Sequence, residues 1–191
     1  LDSNHIMATA KHFIGDGGTF KGIDKGDTRI SEGGLKNIHG TPYYSAFEAC
    51  VQSVMASFNS WNGVKMHGHK YLLTDVLRDQ MGFNGLVVGD WNGHGEVPGC
   101  TNANCPESFN AGVDIYMAPD EWKELYTNTV RAVKAGDISE DRLDDAVRKI
   151  LTVKDRLGML DGRKPHEYEN YVGKIEHREL AREAVSKSLV L

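Results

Sequence analysis

Ser53-Val54-Met55-Ala56-Ser57-Phe58 and Gly85-Leu86-Val87-Val88-Gly89-Asp90 are short apolar runs, and between them Leu72, Leu73, Val76 and Leu77 recur at helical spacing. Strand, helix and strand in that order form a βαβ unit, whose strands lie parallel because the helix returns the chain across the sheet. The same alternation continues on both sides. Upstream, Ile6 to Ile14 reads as a strand ending in Gly15-Asp16-Gly17-Gly18-Thr19, and a polar loop follows to about Glu32. Pro42 then opens a helix with Tyr43, Tyr44, Phe47 and Val51 on its apolar face. Gly82 is placed to stop the helix that carries Leu72 to Leu77. Downstream, the strand Leu86 to Gly89 leads into Asp90-Trp91. A Gly-rich loop bounded by Cys100 and Cys105, a short helix and a strand from Val113 to Met117 complete the pattern.

Two stronger helices follow. Trp122, Leu125, Tyr126, Val130 and Val133 share one face, with Asp120 expected as N-cap, Glu121 in the first turn and Gly136 as the stop. Ser139 is the expected N-cap of the next helix, whose stripe is Leu143, Val147, Ile150, Leu151 and Leu157. From Asp161 to about His177 the chain is polar and aperiodic and reads as a linker. A helical stretch from Glu179 to Lys187 precedes a strand-like run, Ser188 to Leu191. The fold class is therefore α/β. About four strand–helix units within residues 1–160 suit the C-terminal half of a (β/α)8 barrel, whose whole takes ~250 residues. A doubly wound open sheet satisfies the same pattern. The chain starts at Leu1 and stops within an apolar run, so the expectation is an internal piece of a longer protein.

Composition narrows the class. The 191 residues are 40% hydrophobic and 26% charged with 21 Gly, 5 Pro and 3 Cys, which excludes collagen-like, disordered and disulfide-scaffold chains. Lys and Arg number 22 against 27 Asp and Glu, a net charge of -5 without a basic patch, so no nucleic-acid partner is expected. The apolar runs are too short to span a bilayer. No cationic leader with an apolar stretch is visible at the start. The reading is a soluble globular α/β protein.

In either α/β architecture, functional residues gather where strands end and loops begin. Those ends carry Lys11 and His12, then Met55, Phe58 and Asn59, then Asp90 and Trp91, then Asp120 and Glu121. A cation, an imidazole, carboxylates and aromatic rings on one rim have the character of a sugar site. Taken singly, an Asp after a strand is more often a turn or cap residue. Gly15 to Gly18 lacks the Gly-Lys-Ser/Thr ending of a phosphate loop. His67-Gly68-His69 has no third ligand at suggestive spacing and reads as a loop entering a helix, so no metal or cofactor is expected. His94 follows Asp90 closely and reads equally as a pocket residue or a solvated loop histidine. Cys50 reads as a small buried hydrophobe on a helix. The spacing of Cys100 and Cys105 allows a local disulfide, which favours a periplasmic or secreted location.

Five segments carry a resemblance. Lys11-His12-Phe13-Ile14-Gly15-Asp16-Gly17-Gly18-Thr19 resembles the substrate-binding Lys-His segment of family 3 glycoside hydrolases. Ser53-Val54-Met55-Ala56-Ser57-Phe58-Asn59-Ser60-Trp61-Asn62-Gly63 resembles the family's next strand and loop. Gly85-Leu86-Val87-Val88-Gly89-Asp90-Trp91 resembles its nucleophile segment, with Gly-Asp-Trp where Ser-Asp-Trp is commoner. Arg142 to Leu157 is similar to the last helix of the family's barrel, and Leu180 to Leu191 to the beginning of its second domain. The resemblance implies residues 1–160 as the C-terminal half of the barrel domain, and 161–191 as a linker and the start of a second α/β domain.

The β-glucosidase and exo-β-glucanase branch implies a retaining hydrolase that releases glucose from the non-reducing end of β-glucosides or β-glucans. Asp90 would be the nucleophile, with a second carboxyl group about 5–5.5 Å away as acid/base. Lys11 and His12 would hold sugar hydroxyls, Lys11 would help keep nearby carboxylates ionised, and Trp91, Met55 and Phe58 would wall the pocket. Many relatives carry Tyr where Phe58 stands. In this branch the acid/base is a Glu of the second domain. In the β-N-acetylglucosaminidase branch it is a His in a His-Gly loop, where this chain reads Gly15-Asp16-Gly17-Gly18. The partners implied are a β-linked glucoside or oligosaccharide and the rest of the barrel with the second domain, so the chain by itself should be inactive or weakly active. The alternatives are a β-xylosidase or β-N-acetylglucosaminidase on the same barrel, or a non-catalytic carbohydrate-binding fragment.

Overall fold

The computed structural model describes residues 6–162 and 171–190, and the chain divides into two units, Leu1–Asp161 and Gly162–Leu191. In the first unit, β1 (Thr9–Phe13), β3 (Ser53–Ala56), β6 (Leu86–Trp91) and β7 (Ile115–Met117) form one sheet in the order β1-β3-β6-β7, every neighbouring pair parallel. The register sets Thr9 against Ser53, Ser53 against Leu86, and Val88 against Ile115. Side chains alternate across a strand, so each strand serves two faces. Val54, Ala56 and Val87 enter the main core with Phe13, Leu35, Leu72, Leu73 and Leu77. On the opposite face, Val88 and Ile115 pack beside Leu86, which meets Val153 and Leu157 of α5 (Glu140–Arg156).

The helices follow their start and stop signals in part. Ser139 caps α5 by accepting the backbone N–H of Arg142 at 3.2 Å, and Gly136 ends α4 (Trp122–Ala135) in the left-handed region at φ 84°. Asp120 does not cap α4: the N-cap is Glu121, whose side chain makes no capping hydrogen bond. The helix expected from Pro42 starts earlier. Ser31 caps α1 (Glu32–Gly34), which runs through a widened π-type segment, Leu35–Gly40, into α2 (Thr41–Glu48). A second π-type segment, Tyr71–Gln80, carries Leu72, Leu73 and Leu77 into the core. Cys50 lies beyond α2, exposed, at φ 61°, and is therefore no buried helical hydrophobe. The short helix α3 (Pro106–Ala111) precedes β7.

The region expected as a polar loop holds an extra sheet. β2 (Asp27–Thr28) and β4 (Ser60–Trp61) pair in parallel, and β5 (Val64–Lys65) pairs antiparallel with β4. Strands this short show no alternation to read. Side-chain bonds tie them down instead: Asn59 Nδ2 donates to Thr28 Oγ1 at 2.9 Å, and Trp61 Nε1 donates to the Ile30 carbonyl at 2.8 Å.

An ionic knot locks the end of the main sheet. The fully buried carboxylate of Asp114 accepts from Arg78 Nη2 at 2.6 Å, Arg142 Nη2 at 2.9 Å and the Val87 amide at 2.8 Å. The same arginines cap the carbonyls of Gly85, Gly112, Phe109 and Val113. A buried carboxylate is tolerated here because donors converge on both of its oxygens.

In the second unit, α6 (Ile175–Ser188) begins before Glu179, so His177 and Ser188 are helical rather than linker and strand. Within the expected linker, 163–170 lie outside the described residues, as does Leu191 at the end of the expected terminal strand. Among the described residues, no helix is long and apolar enough to cross a membrane.

Candidate active site

Asp90 lies near the end of β6, on the sheet face of Val88, where the parallel strands deliver their C-terminal ends. Its carboxylate is held from two sides. Oδ1 accepts the Trp91 backbone N–H at 2.7 Å, and Oδ2 faces His12 Nε2 at 3.4 Å. The other nitrogen of that ring, Nδ1, is 3.0 Å from Asp16 Oδ2. One imidazole from β1 thus links two carboxylates, one on each side of the ring. Trp91 is 58% exposed, which leaves most of its indole open beside Asp90.

Behind Asp90 stands His67. Its Nε2 accepts the Asp90 backbone N–H at 2.8 Å, and the ring also hydrogen-bonds the backbone of Ser57. An acceptor Nε2 carries no proton, so the ring is the neutral Nδ1–H tautomer. Burial drives its pKa down to about 4, against the pull of the Asp90 charge, which keeps the ring neutral in ordinary buffer. Phe58 tilts over His67 at 5.8 Å between ring centroids, and Lys25 Nζ sits 4.3 Å from the Phe58 centroid on a cation–π contact.

The loop that follows Asp90 is tethered by charge. Glu96 accepts from Lys25 at 3.0 Å and Lys65 at 2.8 Å, and Lys65 also donates to the Phe58 carbonyl. Partial burial works to raise the Glu96 pKa, but the bonds and charges of Lys65 and Lys25 outweigh it and hold the carboxyl below its usual value.

The remaining sequence candidates fall into different places. Lys11 lines an open cleft of about 430 Å³ with His12, Asp16, His39 and Tyr43, and His12 is the residue common to this cleft and to Asp90. Met55 shares the sheet face of Val88 but lines an apolar cavity with Met7, Ile115, Val153 and Leu157. Asn59 is buried and spends its amide nitrogen on Thr28 and Ser60. Asp120 and Glu121 are exposed beyond β7. His94 is not a solvated loop residue: it is 1% exposed, its Nε2 meets the Asn102 carbonyl at 2.8 Å, and its ring packs on Tyr116. His69 lies between the rings of Trp61 and Tyr71. Cys100 and Cys105 are joined by a disulfide and lie near Glu107, so their sulfurs do not serve as thiolate ligands.

Asp16, Lys25, Lys65 and Glu96 did not stand out in the sequence, because their partners lie in other elements. His67 stood out only as a candidate metal ligand, and nothing in its spacing showed that it would be buried under Asp90.

The parallel α/β sheet thus brings a fixed carboxylate, an imidazole and an open indole together at its strand ends. Residues 1–153 match the glycosyl hydrolase family 3 N-terminal domain. The chain is 36% identical to a β-xylosidase of Formosa agariphila over 205 residues, covering all of this chain and 28% of that protein. It is 32% identical to a periplasmic β-glucosidase of Salmonella typhimurium, covering all of this chain and 26% of that protein. The fold superposes on an exo-1,3/1,4-β-glucanase from a Pseudoalteromonas species with a TM-score of 0.90 and 54% identity, covering 97% of this chain and 24% of that one. The β-glucosidase from Listeria innocua in complex with glucose gives a TM-score of 0.82 and 28% identity, covering 94% and 25%. The chain belongs to glycosyl hydrolase family 3 and spans about a quarter of the length of these relatives.

Proposed function

We propose that this chain is the C-terminal half of a (β/α)8 barrel and carries the nucleophile of a retaining β-glucosidase or exo-β-glucanase. The carrying observation is the carboxylate of Asp90, held through Oδ1 by the Trp91 amide with Oδ2 turned toward His12. A nucleophile must present one oxygen to the anomeric carbon while the other is restrained. Oδ2 attacks that carbon, the bond to the leaving oxygen breaks, and a glycosyl ester forms. Water then cleaves the ester and returns the carboxylate. Lys11 and His12 hold hydroxyls and Trp91 forms the apolar wall, while Phe58 packs on His67 behind Asp90.

The leaving oxygen needs a proton. The resemblance to the β-glucosidase branch of the family assigns the acid/base role to a Glu of the second domain, outside this chain; within it, Glu96 is held by Lys25 and Lys65 in the loop after Asp90. Among the described residues, the four parallel strands end at β1 and β7 without a further strand, consistent with a sheet that the rest of a barrel completes. The Cys100–Cys105 disulfide favours the periplasm or the exterior.

The test is an activated 2-deoxy-2-fluoro-β-glucoside on the whole protein that contains this chain, followed by peptide mass spectrometry. Covalent label on Asp90 is expected, and label on another carboxylate overturns the assignment. The similarity to a β-xylosidase at 36% identity supports a second reading, a pentoside substrate at the same site. Comparing kcat/KM for aryl glucosides and xylosides decides between them.

A further inference from the structure

We propose that His67 is a positioning residue for Asp90: its neutral imidazole accepts the Asp90 backbone N–H and so fixes the direction in which the carboxylate leaves the strand. This deepens the proposed function and rests on Asp90 as the nucleophile. His67 is 2% exposed, and its Nε2 lies 2.8 Å from the Asp90 nitrogen. That amide stands at the end of β6, where neighbouring strands no longer supply every acceptor. Without the imidazole this part-buried donor would lose its acceptor.

The surroundings are shaped to the ring. A Cβ on Gly93 would lie 2.3 Å from His67 Cε1, and one on Gly89 would lie 3.4 Å from Cδ2. Glycines on both sides of Asp90 therefore let the backbone close on the imidazole. Phe58 covers it, and the bond to Ser57 fixes the ring at the end of β3. The arrangement joins the ends of two adjacent strands through one side chain. The charged or titratable groups acting on the ring are Asp90, Glu96 and His94. His67 touches no substrate atom in this scheme; it acts through Asp90.

The test uses the whole protein with His67→Leu and His67→Gln, since Gln can place an acceptor oxygen near the Nε2 position. The rate of trapping by the fluoroglucoside is expected to fall about ten- to a hundredfold in His67→Leu and to recover to within about fivefold in His67→Gln. Inhibition by glucose should stay within about threefold of the parent in both. A general loss of structure would move glucose binding too, and that result overturns the proposal. So does an unchanged trapping rate in His67→Leu, or a Gln variant as slow as Leu. Should His67→Leu fail to fold, 15N-histidine spectra of the parent decide. A His67 ring that stays neutral, with Nε2 unprotonated, at about pH 5.5 supports the proposal, and an Nε2–H or cationic ring there overturns it. Label found on a carboxylate other than Asp90 defeats the functional reading separately, because the spectra still report whether Asp90 is held.

Discussion

His12 Nε2 stands 3.4 Å from Asp90 Oδ2 while Nδ1 of the same ring stands 3.0 Å from Asp16 Oδ2. The ring ties β1 to β6 across β3, which lies between them in the sheet. The imidazole lies beside the attacking oxygen, where it can bear on that oxygen's charge and on the sugar. Replacing His12 by Ala is expected to lower kcat/KM of the whole protein about ten- to a hundredfold. Asp16→Asn should cost less, because the contact from His12 to Asp90 remains. Steady-state kinetics on an aryl β-glucoside check the order of the two effects.

Gly93 is required by space. A methyl group there meets the buried ring of His67 at 2.3–2.4 Å, and a packed imidazole has no free end to swing away. Gly93→Ala is expected to destabilise the protein by about 1–3 kcal/mol and to weaken the bond from Asp90 to His67. Denaturant unfolding and the trapping rate measure the two consequences.

Asp114 is a buried charge whose removal should be costly. Its carboxylate accepts from Arg78, Arg142 and the Val87 amide, and the two guanidinium groups are themselves mostly buried. Asp114→Ala strands both, so a loss of about 3–5 kcal/mol is expected. Chemical denaturation of the whole protein checks it, and a change below about 1 kcal/mol contradicts the knot as described.

Glu96 predicts a pH effect of definite sign. Lys65 and Lys25 hold its carboxyl below the ordinary value of 4.5 in the folded chain. A depressed carboxyl stabilises the fold fully above that ordinary value, and the contribution disappears as pH falls through the folded-state value. Glu96→Gln should therefore be less thermostable than the parent at neutral pH. The gap should close on acidification below the ordinary carboxyl range. Asp145, also depressed by Lys149, is unchanged in both proteins and cancels from the comparison. Melting temperatures of the two proteins across pH provide the measurement.

Local pattern carried much of the architecture. Runs such as Leu86 to Val88 are strands because β-branched and apolar residues suit a sheet covered on both faces. Ser139 and Gly136 marked helix ends because capping is a contact within a few residues. The strand-end rule likewise put Asp90, His12 and Phe58 in the same region of the fold. Other features had no local sign. The two-residue strands β2, β4 and β5 are too short for a period and exist because Asn59 and Trp61 bond to a distant segment. Asp120 had the composition of a cap and is not one, since a side-chain cap depends on backbone direction as well as residue type.

Order along the chain was thus enough for the parallel α/β fold, because that depends on periodicity; among the carboxylates at strand ends, only the resemblance of Gly85 to Trp91 to a family segment singled out Asp90. Folding alone determined what surrounds that carboxylate. His67 lies 23 positions from Asp90 and Asp114 lies 36 from Arg78. Each pair meets because the folded chain returns to the same region of the sheet. There a buried donor must find an acceptor, and a buried charge its counter-charge, from whatever segment the packing brings close.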